Sequence, residues 1–385
     1  MSLPPRVLFV TESFGIGGTE SHLLDLLPAL KHRGFEVAAF CFTERGARAG
    51  RLDAEGILVE ASPNLGGTRK RSLLAPLRIM GGAAKLFALI RRYRPPIVHF
   101  FLPAPYLVGA PVALAAGVPI KIMSRRSLND YQRSWPGAAS AERMLHTKMD
   151  ALLANAKALT EELIEEGADA GKVHLIYNGV RLPATPIARQ EARSALNIDE
   201  DAFVAAVVAT LFPYKGHLDL IAALAGVSDR LPNPWVALLA GRDGGSRGDI
   251  EQAIAKGGLE KNVRLLGERS DVPTILAAAD VGILPPTRNE GFSNAILESM
   301  AAGLPMVVTN VGGNAEAVVD CETGLVVPPC DPEALGAAIL KLADPEFRAA
   351  LGRAARLRAK QNFSVEACVD AYCTLYGDLL EKAGS

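Results

Sequence analysis

The chain has 385 residues, which exceeds one ordinary hydrophobic core and fits two domains of roughly 150 to 200 residues each. Its 49% hydrophobic and 22% charged residues, with 36 glycines, are typical of a globular α/β protein and exclude a disordered or fibrous chain. The formal net charge of −1 hides a split, because residues 1–180 carry 22 Lys and Arg against 16 Asp and Glu, whereas residues 181–385 carry 19 against 26.

The five cysteines lack the spacing of metal ligands, and the opening sequence MSLPPRV runs into a strand and not into a secretory leader. No segment reaches the roughly 18 to 20 uninterrupted apolar residues of a membrane-spanning helix. We therefore expect a cytoplasmic protein that is either soluble or peripheral at the inner face of the membrane.

The first part of the chain predicts a parallel sheet. The sequence RVLFVTESFGIGGTESHLLDLLPALKHRG is typical of a buried strand, a glycine turn and an amphipathic helix that Gly34 closes. Later runs IVHFFL, PIKIMS and ALLAN alternate with helical segments, as in repeated βαβ units. We predict a Rossmann-like domain over residues 1–182.

The second part repeats this pattern after a linker at residues 182–188, which is rich in prolines and turn residues. The apolar runs FVAAVVAT, WVALLAG, VRLLG, VGILPP, PMVVTN and GLVVPP predict a second Rossmann-like domain over residues 183–363. A final helix over residues 364–385 carries an apolar stripe and is expected to cross back to the first domain. The predicted fold class is α/β, with two doubly wound domains that face each other across a cleft.

The glycine turn after the first strand reads Gly15-Ile16-Gly17-Gly18-Thr19-Glu20. It lacks the dinucleotide fingerprint G-x-G-x-x-G, because the sixth position holds a glutamate and not a small residue, and a dehydrogenase is therefore disfavoured. The turn is either a tight connection or a place where backbone amides approach an anion at a helix start.

The stretch NEGFSNAILESM places Glu290 and Glu298 eight positions apart around a short turn. A helix is predicted to begin near Ser293 or Asn294, at the carboxyl end of the strand VGILPP, where open α/β sheets bind ligands. The amides of this helix start can hold a diphosphate, while the two carboxylates accept hydrogen bonds from hydroxyls. A nucleotide sugar fits both needs, although two ordinary surface acids are the alternative reading.

Lys215 follows the first strand of the second domain in ATLFPYKGHLDLIAAL, where a lysine is a compact charge for phosphate. Together with the pair Glu290 and Glu298, AADVGILPP, and GLPMVVTNVGGNAEAV followed by TGLVVPP, this turn resembles the retaining glycosyltransferases of family GT4, which have the GT-B fold. The resemblance is strong over about residues 200–345 and looser in the first half, through GGTE, IVHFF and IYNGV.

The resemblance implies a role for each matched residue. Glu290 would contact hydroxyls of the transferred sugar, Glu298 the ribose and Lys215 the diphosphate. The implied donor-binding residues are Gly17, Gly18, Lys215, Gly267, Arg269, Glu290, Gly291, Phe292, Ser293, Asn294 and Glu298. The amides of the two glycines of the first domain would close on the phosphates, and the loop 267–271 would lie near the base. The implied catalytic residues are Glu290, Lys215, Arg125 and His99, and the acceptor would contact Arg125 and Arg126.

The sequence departs from the family pattern at Thr210, where an arginine is frequent five residues before the lysine. One phosphate charge is therefore absent or is supplied by Arg125, Arg126 or Arg288. The two adjacent arginines stand in SRRSLN, where the family commonly has a histidine after the strand, and the role of that histidine is left unassigned.

His99 matches one family histidine, although Phe101 replaces another. His99 is therefore either a buried strand residue or a member of the site. A divalent metal and a cofactor are not expected, because the only D-x-D string, DED at 199–201, precedes a strand on the side away from the predicted site. Fixed groups would then have to meet the charge of the leaving diphosphate.

Residues 69–94 form a basic segment that contains no acid. In it, Leu73, Leu77, Met80, Ala84 and Phe87 follow helical spacing, whereas Arg78, Lys85 and Arg92 recur every seven residues and share a face. Such a helix could lie on an anionic membrane, or it could pack in the core with a solvated basic face. Nucleic acid is not expected as a partner, because aromatic interleaving is sparse and no reader motif occurs.

The sequence predicts a metal-independent retaining glycosyltransferase that moves a sugar from a nucleoside diphosphate sugar, with UDP favoured over GDP. The acceptor would be a hydroxyl of a glycan, a lipid-linked or a small molecule, held by the N-terminal domain, in polysaccharide or glycolipid biosynthesis. Two alternatives stay open: a nucleotide-sugar epimerase of the same fold, and a nucleotide-sugar-binding protein without turnover.

Overall fold

The computed structural model describes residues 4–62, 75–129, 131–182 and 185–384. The chain forms two compact units, of which the first runs to Gly179 and resumes at Val365, and the second is Val180–Ser364. The domain limits predicted from the sequence, after residues 182 and 363, lie within a few residues of these positions.

The first unit contains a seven-stranded parallel sheet in the order β3-β2-β1-β4-β5-β6-β7. Its strands are β1 (Arg6–Thr11), β2 (Glu36–Cys41), β3 (Leu58–Ala61), β4 (Ile97–Phe101), β5 (Ile120–Arg125), β6 (Ala151–Ala154) and β7 (Val173–Leu175). The four residues Leu8, Phe9, Val98 and Phe100 in the paired strands β1 and β4 are completely buried. Strands buried on both faces read as continuous apolar runs, which is why the sequence identified them.

The helices of the first unit lie between its strands along the chain. They are α1 (Gly18–His32), α2 (Gly50–Ala54), α3 (Ala75–Tyr93), α4 (Pro103–Ala115), α5 (Tyr131–Ser134), α6 (Ala138–His146) and α7 (Lys157–Glu165). The last helix of the chain, which we number α16 (Val365–Gly384), also packs on this unit. Its buried stripe, with Tyr372 and Tyr376, joins the core formed by β1 and α1.

The second unit contains a six-stranded parallel sheet in the order β10-β9-β8-β11-β12-β13. Its strands are β8 (Phe203–Val208), β9 (Trp235–Ala240), β10 (Val263–Gly267), β11 (Val281–Leu284), β12 (Met306–Thr309) and β13 (Gly324–Val327). Its helices are α8 (Arg189–Ala195), α9 (His217–Val227), α10 (Arg247–Lys256), α11 (Val272–Ala278), α12 (Asn294–Ala301), α13 (Asn314–Ala317), α14 (Pro332–Lys341) and α15 (Pro345–Asn362).

Each sheet reverses its strand order once, between β1 and β4 in the first unit and between β8 and β11 in the second. Open α/β sheets bind ligands outside the carboxyl ends of the strands at such a point. The predicted class, two doubly wound α/β units, is therefore confirmed. The two switch points are where ligand-binding residues are expected.

Of the two readings of α3, the core-packed one does not hold for Met80 and Phe87. Leu86, Leu89 and Ile90 pack inward, whereas Met80 is 66% exposed and Phe87 is 40% exposed. Residues 63–74, which include Arg69, Lys70, Arg71 and Leu73, lie outside the described residues, as does the side chain of Leu77. The buried face of α3 is thus formed by apolar residues other than the stripe of Met80, Ala84 and Phe87. Within the described ranges, none of the helices combines the length and apolarity that crossing a membrane requires.

Candidate functional site

Lys215 and Glu290 meet at the switch point of the second sheet. Lys215 follows β8 and Glu290 follows β11, and these strands are neighbours in the sheet. Lys215 Nζ donates to Glu290 Oε2 over 2.6 Å, and the two side chains are 16% and 9% exposed. Residues 75 positions apart in sequence are thus brought together by the strand order, at a place sheltered from bulk water.

Close backbone contacts hold the loop that carries Glu290. Asn289 has a positive φ of 60°, and Gly313 N donates to Gly291 O over 2.8 Å. Gly312 has φ +55°, and a Cβ on it would lie 1.9 Å from the carbonyl oxygen of Glu290. Only glycine permits both this conformation and this approach. The glycine pair in NVGGNAEAV therefore holds the loop of Glu290 through close backbone contacts.

The turn that carries Lys215 is fixed to the loop after β11 in the same way. A 3₁₀ turn at Pro213–Lys215 ends in Gly216, whose φ is +73° and whose missing Cβ would lie 1.8 Å from Pro285 O. Thr287 N donates to Tyr214 O over 2.8 Å. Lys215 Nζ lies 5.7 Å from the centre of the Tyr214 ring. The position of Lys215 is therefore set by the neighbouring loop and not by its own strand alone.

Helix α12 begins at Asn294, with Ser293 as its N-cap, in agreement with the helix start expected from the sequence. Phe292 is buried and its ring lies 5.2 Å from that of Phe363, which anchors the loop before the helix. Glu298 stands one turn into α12 and is partly exposed. A helix start presents amides and a partial positive charge to an anion, so that a diphosphate and a diol could be bound at adjacent positions.

His217 is a residue of this region to which the sequence analysis gave no role. It is the first residue of α9, two positions after Lys215, and it is 2% exposed. Within the part of the chain that the structure describes, neither ring nitrogen has a hydrogen-bond partner. Burial and then the charge of Lys215 lower the pKa of His217 to about 4. In the motif KGH the sequence suggested a role for the lysine alone. Only the burial of its ring distinguishes this histidine from an ordinary surface histidine.

The remaining donor-site predictions fall on the same edge of the second sheet. Thr210 is half-buried in the segment before the lysine turn, and Arg288 is exposed in the loop before Glu290. Gly267 ends β10 with φ +69° and open space around its Cα hydrogens. Arg269, two residues on, is ion-paired with Asp271 through two hydrogen bonds of 2.7 and 2.6 Å. The role of this loop near a base stays a prediction.

In the first unit, Gly17 is the N-cap of α1 and Gly18 its first residue. The carboxylate of Glu20 folds back against Gly17, so that a Cβ at this position would lie 2.2 Å from Glu20 Oε2. Burial, and then the charge of Glu20, raises the pKa of Glu12 at the end of β1. An acid of the chain thus lies next to the turn where the sequence predicts a phosphate.

His99 is completely buried in β4 and is hydrogen-bonded at both ring nitrogens. Nδ1 lies 2.7 Å from the Tyr376 hydroxyl of α16, and Nε2 lies 2.8 Å from Ser124 Oγ of β5. Burial lowers the pKa of His99, so the ring is neutral. The geometry is that of the buried strand residue that the sequence left open as one of two readings, and a catalytic role for His99 stays a prediction.

Arg125 and Arg126 are adjacent but have different surroundings. The Arg125 side chain is 3% exposed and pairs with Glu142, Glu162 and Glu166 over 3.0, 3.3 and 2.8 Å. Glu142, His146 and Glu166 could by geometry hold a metal ion, since each offers an atom within 4.8 Å of the others. The guanidinium of Arg125 already neutralises two of these carboxylates, so the group does not fit a cation. An acceptor role for Arg125 would require this network to open, and that role stays a prediction.

The fold consists of two doubly wound parallel sheets, and a lysine, a carboxylate and a helix start lie at the switch point of the second. These features define the GT-B class of glycosyltransferases. Residues 16–182 match the family described as Glycosyltransferase Family 4, and residues 188–358 match Glycosyl transferases group 1. These two matches together cover most of the chain. The chain belongs to the family GT4 glycosyltransferases, and the resemblance found in the sequence is confirmed.

Curated relatives and solved structures agree with this assignment. A D-inositol 3-phosphate glycosyltransferase of Corynebacterium diphtheriae is 27% identical over 387 residues, which cover 94% of this chain and 90% of that protein. One of Saccharomonospora viridis is 32% identical over 252 residues, covering 62% and 58%. The structure of Anabaena Alr3699/HepE in complex with UDP superposes with a TM-score of 0.83 at 24% identity, covering 97% of this chain and 100% of that one.

The sucrose-phosphate synthase of Thermosynechococcus elongatus has a similar structure, with a TM-score of 0.81 at 22% identity over 98% of this chain and 100% of that one. At these identities the solved structures show the shared GT-B fold alone.

Proposed function

We propose that the protein is a retaining glycosyltransferase that moves a sugar from a nucleoside diphosphate sugar to a hydroxyl of a glycan, lipid-linked or small-molecule acceptor. The observation that carries this proposal is the pair of Lys215 and Glu290, 2.6 Å apart at a sheet switch point and beside the start of α12. A cation and a helix start suit a diphosphate, and a sheltered carboxylate suits sugar hydroxyls.

UDP is the nucleotide that we favour over GDP. Support comes from structural neighbours, since the Anabaena protein was solved with UDP, with UDP and glucose, and with UDP-glucose. In this chain Glu298 would bind the ribose from the first turns of α12, and the loop with Gly267 and Arg269 would lie near the base. Pocket shape, and not fold, sets the choice of base and sugar.

The reaction we propose proceeds on one face of the sugar. The bond between the anomeric carbon and the diphosphate oxygen lengthens, positive charge develops on the ring, and the acceptor hydroxyl enters on the side that the diphosphate leaves. The acceptor proton passes to the departing phosphate. Lys215 and the amides at the helix start stabilise the charge that develops on the leaving group, and Glu290 holds the sugar hydroxyls in place.

We propose that transfer needs no metal ion. Lys215 supplies a fixed charge for the leaving group once the donor separates it from Glu290. Within the described residues, the group with metal-ligand geometry is Glu142, His146 and Glu166, and Arg125 bridges it. Transfer rates in EDTA and in added Mg²⁺ or Mn²⁺ are therefore expected to agree.

The decisive experiment incubates the protein with UDP-sugars and GDP-sugars and a panel of acceptors, including D-inositol 3-phosphate, after which the relatives are named. We expect nucleoside diphosphate release that depends on acceptor, and an NMR coupling constant showing that the anomeric configuration of the donor is kept. An altered donor without transfer would support the epimerase instead. Donor binding without transfer or hydrolysis across the panel would support the non-catalytic protein.

Variants of the acidic pair test the assignment of residues. Glu298→Ala is expected to weaken binding of the nucleoside diphosphate by about tenfold, since a charge-assisted bond to the ribose is lost. Glu290→Ala is expected mainly to lower kcat. The control variant is Glu251→Ala, because Glu251 is an exposed glutamate of another helix, α10. The neighbouring residue Leu297 is completely buried and is therefore unsuitable as a control. Equal behaviour of all three variants would contradict the assignment.

We also propose that α3 rests on an anionic membrane surface. Its exposed side carries the large apolar residues Ile79, Met80 and Phe87, together with the exposed bases Lys85 and Arg91. Apolar side chains surrounded by basic ones suit the boundary between lipid headgroups and acyl chains. Sedimentation with vesicles that contain phosphatidylglycerol tests this, and Met80→Ser with Phe87→Ser should reduce binding without changing transfer to a water-soluble acceptor.

A further inference from the structure

Buried polar groups hold the short helix α5, which follows β5 in the first unit. Tyr131 Oη donates to both carboxylate oxygens of Glu142 over 2.7 Å. Gln132 Nε2 donates to Glu142 over 2.8 Å and to Glu166 over 3.2 Å. The guanidinium carbon of Arg125, the last residue of β5, lies 5.7 Å from the centre of the Tyr131 ring. Because Glu142 is almost fully buried, α5 is fixed to the interior of the unit.

Trp135 stands in the turn between α5 and α6 and is open to solvent. Its ring lies 5.8 Å from the Tyr131 ring at an interplanar angle of 69°, which is an edge-to-face contact. Trp135 is 42% exposed, although tryptophan is a residue that folding usually buries in large part. The other tryptophan of the chain, Trp235 in β9, is 7% exposed. The first unit therefore keeps a large aromatic ring at its surface through a contact that leads into its interior.

The backbone at Trp135 is fixed as well. Ala138 N donates to Trp135 O over 3.0 Å, and Gly137 closes the turn with a φ of +81°. A ring that is held in place before a ligand arrives loses little conformational freedom on binding. This preorganisation distinguishes Trp135 from the single apolar residues that any protein surface carries.

The position of Trp135 relative to the sheet is that of a ligand-binding residue. Contacts of 5.7 and 5.8 Å lead from Arg125 at the carboxyl end of β5 through the Tyr131 ring to Trp135. Strand β5 pairs with β4, the strand at the switch point of this sheet. Open α/β sheets bind ligands outside the carboxyl ends of strands near such a point. Trp135 therefore lies on the edge of the first unit where a ligand is expected.

The charges around α5 favour a neutral ligand. The carboxylates of Glu142, Glu162 and Glu166 surround Arg125, and Arg133 of α5 adds one further cation. Three carboxylates against two guanidinium groups leave no net positive charge. The next residue after β5, Arg126, lies against Phe101, with its guanidinium carbon 5.7 Å from the centre of that ring. A phosphate or an anionic lipid surface would therefore gain little attraction at Trp135.

We propose that Trp135 is the stacking surface for a neutral pyranose ring of the acceptor, which makes the acceptor a glycan or another glycoside. The inference rests on the proposed function and narrows its acceptor class. The C–H face of a pyranose is apolar and packs on an indole ring, while the hydroxyls at its rim meet the indole N–H and water. In this arrangement Arg125 and Tyr131 are positioning residues, because they act on the acceptor through Trp135.

Fluorescence tests sugar binding directly, because the chain has only two tryptophans. In Trp235→Phe all tryptophan emission comes from Trp135. The probes are methyl α-D-glucopyranoside, methyl α-D-mannopyranoside, methyl β-D-galactopyranoside and maltose, and a saturable change of emission is expected with one or more of them. D-inositol 3-phosphate and vesicles of phosphatidylglycerol should leave the emission unchanged. A change with the vesicles alone, with the inositol phosphate alone, or with none of the probes would overturn the proposal.

Kinetics test whether the ring serves transfer. Trp135→Ala should raise KM for a glycoside acceptor by about 10- to 100-fold, and Trp135→Phe by less, because part of the aromatic surface remains. The kcat should stay within about threefold and the Kd of UDP within about twofold. Because Trp135 is exposed, the melting temperature of Trp135→Ala should stay close to that of the parent, which separates lost binding from lost folding.

Leu114→Ala is the matched control. Leu114 is 38% exposed and lies near the carboxyl end of α4 in the same unit. Its substitution also removes an exposed apolar side chain, but one at the opposite end of a helix that begins at the carboxyl end of β4. KM, kcat and the Kd of UDP should all match those of the parent. An equal rise of KM in Leu114→Ala and Trp135→Ala would overturn the role of Trp135.

Tyr131→Phe tests the support of the ring. It keeps the aromatic ring beside Trp135 but removes the hydroxyl that donates to Glu142. We expect the fluorescence anisotropy of Trp135 to fall and KM for the glycoside to rise several-fold. The rise should disappear in the Trp135→Ala background, because the two residues act as one unit. A rise of the same size in both backgrounds would contradict the positioning role of Tyr131.

The two kinds of measurement separate this proposal from the function on which it rests. Saturable binding of a neutral sugar to Trp135 without any transfer would count against the glycosyltransferase alone. Transfer to a glycoside with the same KM in the parent and in Trp135→Ala would count against Trp135 alone.

Discussion

Gly312→Ala tests whether the loop of Glu290 is held in place by the glycine pair beneath it. An added Cβ would lie 1.9 Å from Glu290 O and 3.1 Å from Gly291 O, at a residue whose φ is +55°. Because close-packed atoms of this kind approach no nearer than about 3 Å, the loop must move by roughly 1 Å. The left-handed conformation alone disfavours alanine by about 1 kcal/mol.

The consequence for catalysis follows from the position of the displaced residue. A shift of about 1 Å at a group that orients a substrate lowers the rate by about 100-fold, and we expect this loss in kcat. The Lys215 contact of 2.6 Å would lengthen as well, so the free energy of unfolding should fall by about 2 to 4 kcal/mol. Stopped assays of UDP release and urea unfolding measure the two effects separately.

Gly258→Ala is the matched control. Gly258 has φ +68°, in the same region as Gly312, but no heavy atom lies within 4 Å of the Cβ that alanine would bring. The control should lose about 1 kcal/mol of stability through strain alone and should keep its kcat. If Gly312→Ala also kept kcat within about threefold, the support of Glu290 by this loop would be refuted.

Three further predictions concern buried titratable groups. Glu290→Gln should release Lys215 and bind UDP more tightly than the parent while transferring sugar more slowly, as calorimetry and kinetics will show. Burial raises the pKa of Glu166, but hydrogen bonds from His146 and Arg125 outweigh it and hold the pKa at about 2. The depressed pKa stabilises the folded protein at pH values above the pKa of the unfolded chain, and this stabilisation is lost as the pH falls towards 2. In urea unfolding, the free energy of unfolding of Glu166→Gln should therefore change less with pH than that of the parent, by roughly 3 kcal/mol. Because the pKa of His217 is about 4, protonation favours the unfolded chain as pH falls from about 6.5 to 4, and His217→Leu should flatten unfolding curves over that window.

The features that the sequence predicted correctly are those that depend on residues close together in the chain. Buried parallel strands appear as apolar runs, and the helix start after Phe292 was placed at the correct residue because a turn and an amphipathic run adjoin there. The proximity of Lys215 and Glu290 depends instead on strand order. The resemblance to the family implied this proximity, whereas the spacing of the two residues along the chain could not have predicted it.

The errors and omissions have a common origin in partners that lie far away in sequence. Arg125 and Arg126 are indistinguishable as letters, and only the glutamates contributed by α6 and the end of α7 show that the first is saturated. The helical period of Phe87 left open whether it faces the core, because period alone does not say which of two apolar faces meets the sheet. His217 was passed over because burial of its ring depends on elements that its own motif does not contain.

Counting charge shows what a donor diphosphate would require of the residues around Lys215 and Glu290. A diphosphate brings about two negative charges, while Lys215 is already matched by Glu290 at 2.6 Å, so the pair contributes little net charge. The starts of α9 and α12 each add about half a positive charge at most. Arg288 is exposed, and solvent and salt screen an exposed arginine. A donor must therefore either separate Lys215 from Glu290 or draw on a cation elsewhere.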